Sequence, residues 1–171
     1  MGVPEEHRNQ RSTYEVEIIR VREPEIPMLY DLLEWRRTGD ETERPPQHAS
    51  RDNDEKERVL AVMREHIGAE SVFVWAARFG QWFVGYISVA KIIKPDPRVY
   101  FYIDELWVPK PFRRHGIASA LLQATIQTAK AMNMWCIRLV AANTPAVRDL
   151  YRKAGFEVNE QTGWGEMTFE R

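Results

Sequence analysis

One cysteine, Cys136, stands in the 171 residues, so no intrachain disulfide can form. That fits a reducing compartment. An excess of charge is missing too: 24 Lys and Arg against 25 Asp and Glu leave a net −1. This removes the electrostatic footprint of a general nucleic-acid or membrane-surface binder. No apolar run approaches the roughly 18 residues that a bilayer-spanning helix needs. The opening stretch MGVPEEHRNQRST has no apolar segment of a signal peptide. Gly2 lacks the Ser or Thr that a myristoylation signal carries four residues later. His7, His48, His66 and Cys136 show no metal-ligand spacing, so no metal is expected. Cys136 itself reads as a small buried hydrophobe rather than a nucleophile. The exclusions leave a cytoplasmic protein with no nucleic-acid or membrane role. Its 44% hydrophobic and 29% charged residues are ordinary for a soluble globular chain. The length suits one domain with a substantial core.

Residues 1–13 are polar and expected to be loose; residues 14–171 form the expected single domain. Tyr14–Val21 alternates apolar and polar, a first strand. A helix over Glu25–Arg37 is framed by Pro24 and Pro27 and ended by Gly39. Asp40–Asp54 has almost no apolar residues and includes Pro45–Pro46, so it reads as a loop. Helical spacing returns over Asp54–His66. Glu70–Phe79 and Trp82–Ile93 are strand-like, and Gly80–Gln81 between them is a hairpin signal. After the turn Lys94–Arg98 comes a third strand, Val99–Val108, so three strands in series read as antiparallel. Gly116–Met132 is an apolar helix. Met134–Ala142 is a short, nearly continuous apolar run. A strand–helix–strand crossover makes it parallel to Val99–Val108 and central. A helix over Asn143–Ala154 and short strands at Phe156–Glu160 and Glu166–Phe169 complete an α/β fold with a mixed sheet.

The chain is organised around Ile103–Ala118, IDELWVPKPFRRHGIA. Lys110, Arg113, Arg114 and His115 crowd the turn that opens a helix. Cations belong at helix C-termini, so a positive cluster here makes sense if an anion is bound. The small residues Gly116 and Ala118 let such an anion approach the backbone. A backbone nest reinforced by Arg113 and Arg114 suits a pyrophosphate. No GxxxxGK[ST] loop and no GxGxxG fingerprint is present.

RRHGIA matches the [QR]-x-x-G-x-[GA] signature, and its surroundings strengthen the match. A strand ending in LWV and a proline precede it. An apolar helix, an apolar strand, Asn143 and the run LYRKAGF (Leu150–Phe156) follow. Over roughly Trp75–Val158 the chain resembles the GNAT superfamily of acyl-CoA-dependent N-acetyltransferases. The resemblance implies a mostly antiparallel mixed sheet flanked by helices, with a central parallel strand pair that splays apart, commonly beside a bulge. It implies acetyl-CoA as acyl donor. The backbone of Leu106, Trp107 and Val108 would pair with the pantetheine arm. The N–H groups of Arg114, His115, Gly116, Ile117, Ala118 and Ser119 would hold the pyrophosphate. Asn143 would contact the pantetheine, and its type equally suits a helix N-cap before Pro145. Tyr151 would protonate the departing thiolate. Dimers are frequent in such proteins, so a homodimer is one expected arrangement.

The chemistry asks independently for a carboxylate, since an acceptor amine is protonated at neutral pH and cannot attack. Asp104 and Glu105 are adjacent on the strand. Strict alternation puts Glu105 with Phe101, Ile103 and Trp107, and Asp104 with Tyr102 and Leu106. Glu105 is the favoured base, Asp104 or a water the alternative. The acceptor site is expected between Pro24–His66 and the sheet, and Trp82, Tyr86, Tyr100, Tyr102 and Trp107 are candidates for a flat slot. The expected acceptor is a small-molecule amine. A protein or peptide N-acetyltransferase and a non-catalytic acyl-CoA-binding module are the competing function classes.

Overall fold

The computed structural model describes residues 15–38, 52–142 and 144–169. The expectations for residues 1–13, for Gly39, for most of the Asp40–Asp54 loop and for Asn143 lie outside these. In chain order the strands are β1 (Glu17–Arg20), β2 (Val72–Phe79), β3 (Trp82–Ile93), β4 (Val99–Trp107), β5 (Cys136–Val140), β6 (Glu157–Val158) and β7 (Trp164–Thr168). The helices are α1 (Ile26–Thr38), α2 (Asn53–Gly68), α3 (Ile117–Ala131) and α4 (Pro145–Lys153). Among the described residues the strands form one sheet, ordered β1-β2-β3-β4-β5-β7-β6. Every neighbouring pair is antiparallel except β4 and β5. The mixed, mostly antiparallel α/β sheet with a central parallel pair is therefore present.

Local chemistry explains the boundaries. Gly80, at φ 58°, turns β2 into β3, the left-handed conformation a two-residue hairpin loop favours. At the start of α2 the Asp52 carboxylate accepts from the Asp54 N–H at 3.4 Å, and Asp54 and Glu55 place negative charge on the first turn, as the helix dipole prefers. The helix expected from Asn143 begins instead at Pro145, because proline's fixed φ suits a first helical position.

Two layers of helix sandwich the sheet. Leu29 and Leu33 of α1 and Met63 and Ile67 of α2 meet Val72, Val74, Tyr86 and Ser88 on one face. The opposite face carries the ring cluster of Phe73, Trp75 and Phe101, with Phe73 and Phe101 centroids 5.1 Å apart. The start of α3 lies on that side: a Cβ built on Gly85 of β3 would come within 3.2 Å of Ile117 Cγ2. Leu121, Leu122 and Ala129 of α3 are fully buried. Cys136 is fully buried as expected. Burial pushes its thiol up, which makes it unreactive.

Candidate active site

Two features of β4 build the site. First, β4 and β5 pair only from Phe101 opposite Ile137 to Ile103 opposite Leu139. Beyond that point β5 continues against β7, with Val140 opposite Trp164, while among the described residues Glu105, Leu106 and Trp107 pair only with β3. The parallel strands have splayed, leaving the last part of β4 with an open edge. Unpaired strand groups are a template for another extended chain. Second, Ser88 pairs with Glu105 and Val89 with Ile103, so Asp104 is an extra residue, a β-bulge.

The bulge corrects one expectation. Strict alternation groups Glu105 with Phe101 and Ile103. The extra residue shifts the parity, and Glu105 instead shares a face with Ser88, its partner, and with Tyr86 and Trp107, which pair with each other. Phe101 and Ile103 stay in the core on the α3 side, at 0% and 4% exposure. Asp104 is exposed. The fold thus separates the two carboxylates, and only Glu105 lines the pocket under α1 and α2.

Glu105 is held from two sides. The Tyr86 hydroxyl donates to its Oε2, and the Arg36 guanidinium of α1 pairs with its Oε1. Burial, with the carboxylate beside it, pushes the Tyr86 phenol well above the ordinary tyrosine range, so it stays a donor. Arg36 is 43% exposed in its side chain and Glu105 25%. A pair this open to solvent is worth about 0–1 kcal/mol. The pocket that Glu105 closes has a volume of about 180 Å³. Of the aromatic residues considered for a flat slot, Tyr86 alone lines it.

The turn after β4 supplies an anion cradle. Arg114 and Gly116 both have positive φ, 68° and 81°, a left-handed backbone that turns N–H groups toward one point. Gly116 caps α3 with no side-chain hydrogen bond, and the first turn holds no acid. In α2 the same position is acidic and capped. Among the described residues the N–H groups that open α3 are therefore offered without a resident partner. Arg113 Nε donates to the Val108 carbonyl at 2.8 Å, so Arg113 braces the turn, and its side chain, like that of Arg114, is exposed. Ile117 is buried and can serve an anion only through its backbone. Ala118 is half-buried and Ser119 exposed. Gly85 permits this packing: a Cβ there would stand 3.1 Å from Val108 Cγ2 and 3.3 Å from the Trp107 carbonyl oxygen.

Both α3 and α4 begin where the parallel strands end, the carboxyl side at which α/β sheets receive ligands. Tyr151 lies in the second half of α4, 6% exposed, its ring edge-on to Phe156 at 5.7 Å. Burial pushes its hydroxyl up to about 12. Among the described residues no side chain is in hydrogen-bond contact with it. Trp35 stacks edge-on against Trp107 at 6.0 Å, and its buried indole N–H also lacks a partner among the described residues. Such an orphan costs about 1–3 kcal/mol. The open β4 edge and the uncapped nest fit an extended acyl carrier ending in a pyrophosphate. Among the described residues no group of three or more His, Cys, Asp or Glu could hold a metal ion. No helix among them is long and apolar enough to cross a membrane.

Sequence reasoning missed Arg36 and Gly85 altogether and named Tyr86 only as a slot residue. Their roles depend on which residue faces which across strands and on the approach of α1, neither of which a linear pattern carries.

Comparison with known proteins bears on the family and the fold. The family model described as "Acetyltransferase (GNAT) family" matches residues 26–156. A search of curated proteins finds no match. Among solved structures, an aminoglycoside acetyltransferase from an uncultured soil metagenomic sample, in complex with sisomicin, is 18% identical over 91% of this chain and 95% of its own, with TM-score 0.68. A predicted acetyltransferase from Clostridium acetobutylicum, solved with acetyl-CoA, is 21% identical over 86% and 93%, with TM-score 0.62. A GNAT family acetyltransferase from Brucella melitensis, also in complex with acetyl-CoA, is 14% identical over 92% and 90%, with TM-score 0.62. At these identities the likeness is one of fold.

Proposed function

The chain belongs to the GNAT family of acetyltransferases, and from that premise we propose that it transfers an acetyl group from acetyl-CoA to the primary amine of a small molecule. The observation that carries this reading is the open edge of β4 beyond Ile103. It runs straight into the uncapped start of α3, with Glu105 on the pocket side of the same strand.

Acetyl-CoA, when bound, supplies the acetyl thioester. Leu106, Trp107 and the Val108 N–H would pair with its pantetheine arm. The Val108 carbonyl is already taken by Arg113. The nest of Arg114, His115 and Gly116 and the N–H groups of Ile117, Ala118 and Ser119 would hold the pyrophosphate, as helix N-termini do. Asn143 is proposed as a further pantetheine contact. Glu105 accepts the proton that an ammonium must lose before its nitrogen can attack. Tyr86 and Arg36 fix the orientation of that carboxylate. Tyr151 donates its hydroxyl to the departing sulfur. At about 12 it stays protonated, and because a thiolate near 8.5 is the weaker base, its proton passes to sulfur only as the proton lost by the attacking nitrogen replaces it.

The mostly apolar pocket, about 180 Å³ in volume, supports a small acceptor. Release of free CoA against a panel of small amines and peptides tests the reading. Amine-dependent thiol release is expected with small amines. Acetylation of peptides alone would favour protein substrates. Acetyl-CoA binding without thiol release for any amine would leave a sensor and overturn the enzyme mechanism.

A further inference from the structure

The pocket beneath α1 and α2 has a polar end and a mostly apolar body. Leu29 and Leu33 of α1, Met63 and Ile67 of α2, and Val72 and Val74 of β2 form most of its walls, and His66 of α2 and Ser88 of β3 add two polar side chains to the lining. Glu105 closes it, with the Tyr86 hydroxyl on the carboxylate. An apolar wall gives nothing to a hydroxyl-rich ligand, since each polar group buried there would lose water without gaining a partner. It rewards methylenes and rings in proportion to the surface they bury. Glu105 in turn is matched to a single cation, the place Arg36 now takes. The volume of about 180 Å³ is below the roughly 300–1,000 Å³ of pockets for drug-sized ligands.

We propose that the acceptor is a compact monoamine with an apolar body, an alkylamine or arylalkylamine, its ammonium replacing Arg36 at Glu105 and its body lying between α1, α2 and β2. This rests on the N-acetyltransferase reading and narrows it. The substrate class differs from that of the aminoglycoside acetyltransferase found with sisomicin. The nitrogen loses one ammonium proton to Glu105 and on to water, then forms its bond to the acetyl carbonyl carbon. The carbon–sulfur bond breaks and its electron pair leaves on sulfur. The nitrogen's second lost proton balances the one that sulfur takes through Tyr151. The products are an N-alkylacetamide and free CoA.

Three probes, ethylamine, hexylamine and sisomicin, are compared by thiol release. In parallel, hexylamine is titrated calorimetrically into the protein saturated with CoA, which cannot react. The expected result is kcat/KM for hexylamine at least about tenfold above ethylamine, since each methylene in an apolar pocket is worth roughly 10–200-fold at best. Sisomicin should be poor. Leu33→Gln, at a half-buried wall position, and Met63→Gln should each shrink the hexylamine-to-ethylamine ratio and weaken hexylamine binding in the titration. Sisomicin turned over faster than hexylamine, or a ratio unmoved in both variants, overturns the proposal while leaving amine acetylation intact. If no amine is turned over, the acetyl-transfer reading falls, and the titration alone decides the pocket. Hexylamine bound and weakened by Leu33→Gln supports the apolar-amine site; no binding overturns it.

Discussion

The Tyr86 hydroxyl of β3 donates to the Glu105 carboxylate of β4, and the contact exists because the bulge at Asp104 turns Glu105 toward Ser88 and Tyr86. One extra residue therefore decides which carboxylate reaches the pocket. If Glu105 is the base and Tyr86 its positioning residue, the two act as a unit. Tyr86→Phe should lower kcat/KM by roughly 10-fold or somewhat more, the worth of a hydrogen bond to a charged group. Added to Glu105→Gln it should cost almost nothing further. Steady-state kinetics on the double-mutant cycle check this, and additive losses would separate the two residues.

The two carboxylates should behave differently. Glu105→Gln should reduce the rate by about 10²–10⁴, most severely at low pH, where the acceptor amine carries its proton. Asp104→Asn, at the exposed bulge position, should stay within about twofold, as surface changes do. The pH–rate profiles of both variants decide it. A loss confined to Asp104→Asn would reverse the assignment.

Tyr151→Phe should lower kcat by on the order of 10² while acetyl-CoA affinity is kept. The raised hydroxyl gives a second signature. Its folded value of about 12 lies above the ordinary 10, so its contribution to stability is fully present below pH 10 and is lost as pH rises from 10 to 12. Denaturant midpoints of the wild type should therefore fall more steeply across that window than those of Tyr151→Phe. Parallel curves would contradict the burial of this hydroxyl.

Gly85 has no positive φ, so its role is space. Gly85→Ala would bring a methyl within 3.1–3.3 Å of Val108, Ile117 and the Trp107 carbonyl. Overpacking of this kind costs about 1–3 kcal/mol, or a few degrees in Tm per kcal/mol for a chain of this size. It should also displace the start of α3 and weaken acetyl-CoA binding, read by calorimetry. Unchanged affinity would detach the packing from the binding turn.

Much of this architecture is legible in the sequence. The hairpin signal Gly80–Gln81 marks the entry to Trp82–Ile93, the apolar run marks the strand at Cys136, and RRHGIA marks the turn that carries Arg114 and Gly116. These signals are local. The placement of Glu105 is not, because it depends on a bulge that appears only once β3 and β4 are in register. Arg36 reaches Glu105 across the space between α1 and the sheet, a distance of sixty-nine positions that no spacing rule spans. The Val108 carbonyl looked free for a ligand, and only the fold reveals Arg113 on it.

The central claim is that the open edge of β4 and the turn into α3 together hold acetyl-CoA. Hydrogen–deuterium exchange with and without acetyl-CoA tests it directly. The amides of residues 105–108 and 114–119 should become protected together on binding, while those of β1 and β2 keep their rates. Saturating acetyl-CoA that leaves residues 105–108 exchanging as in the free protein would contradict it.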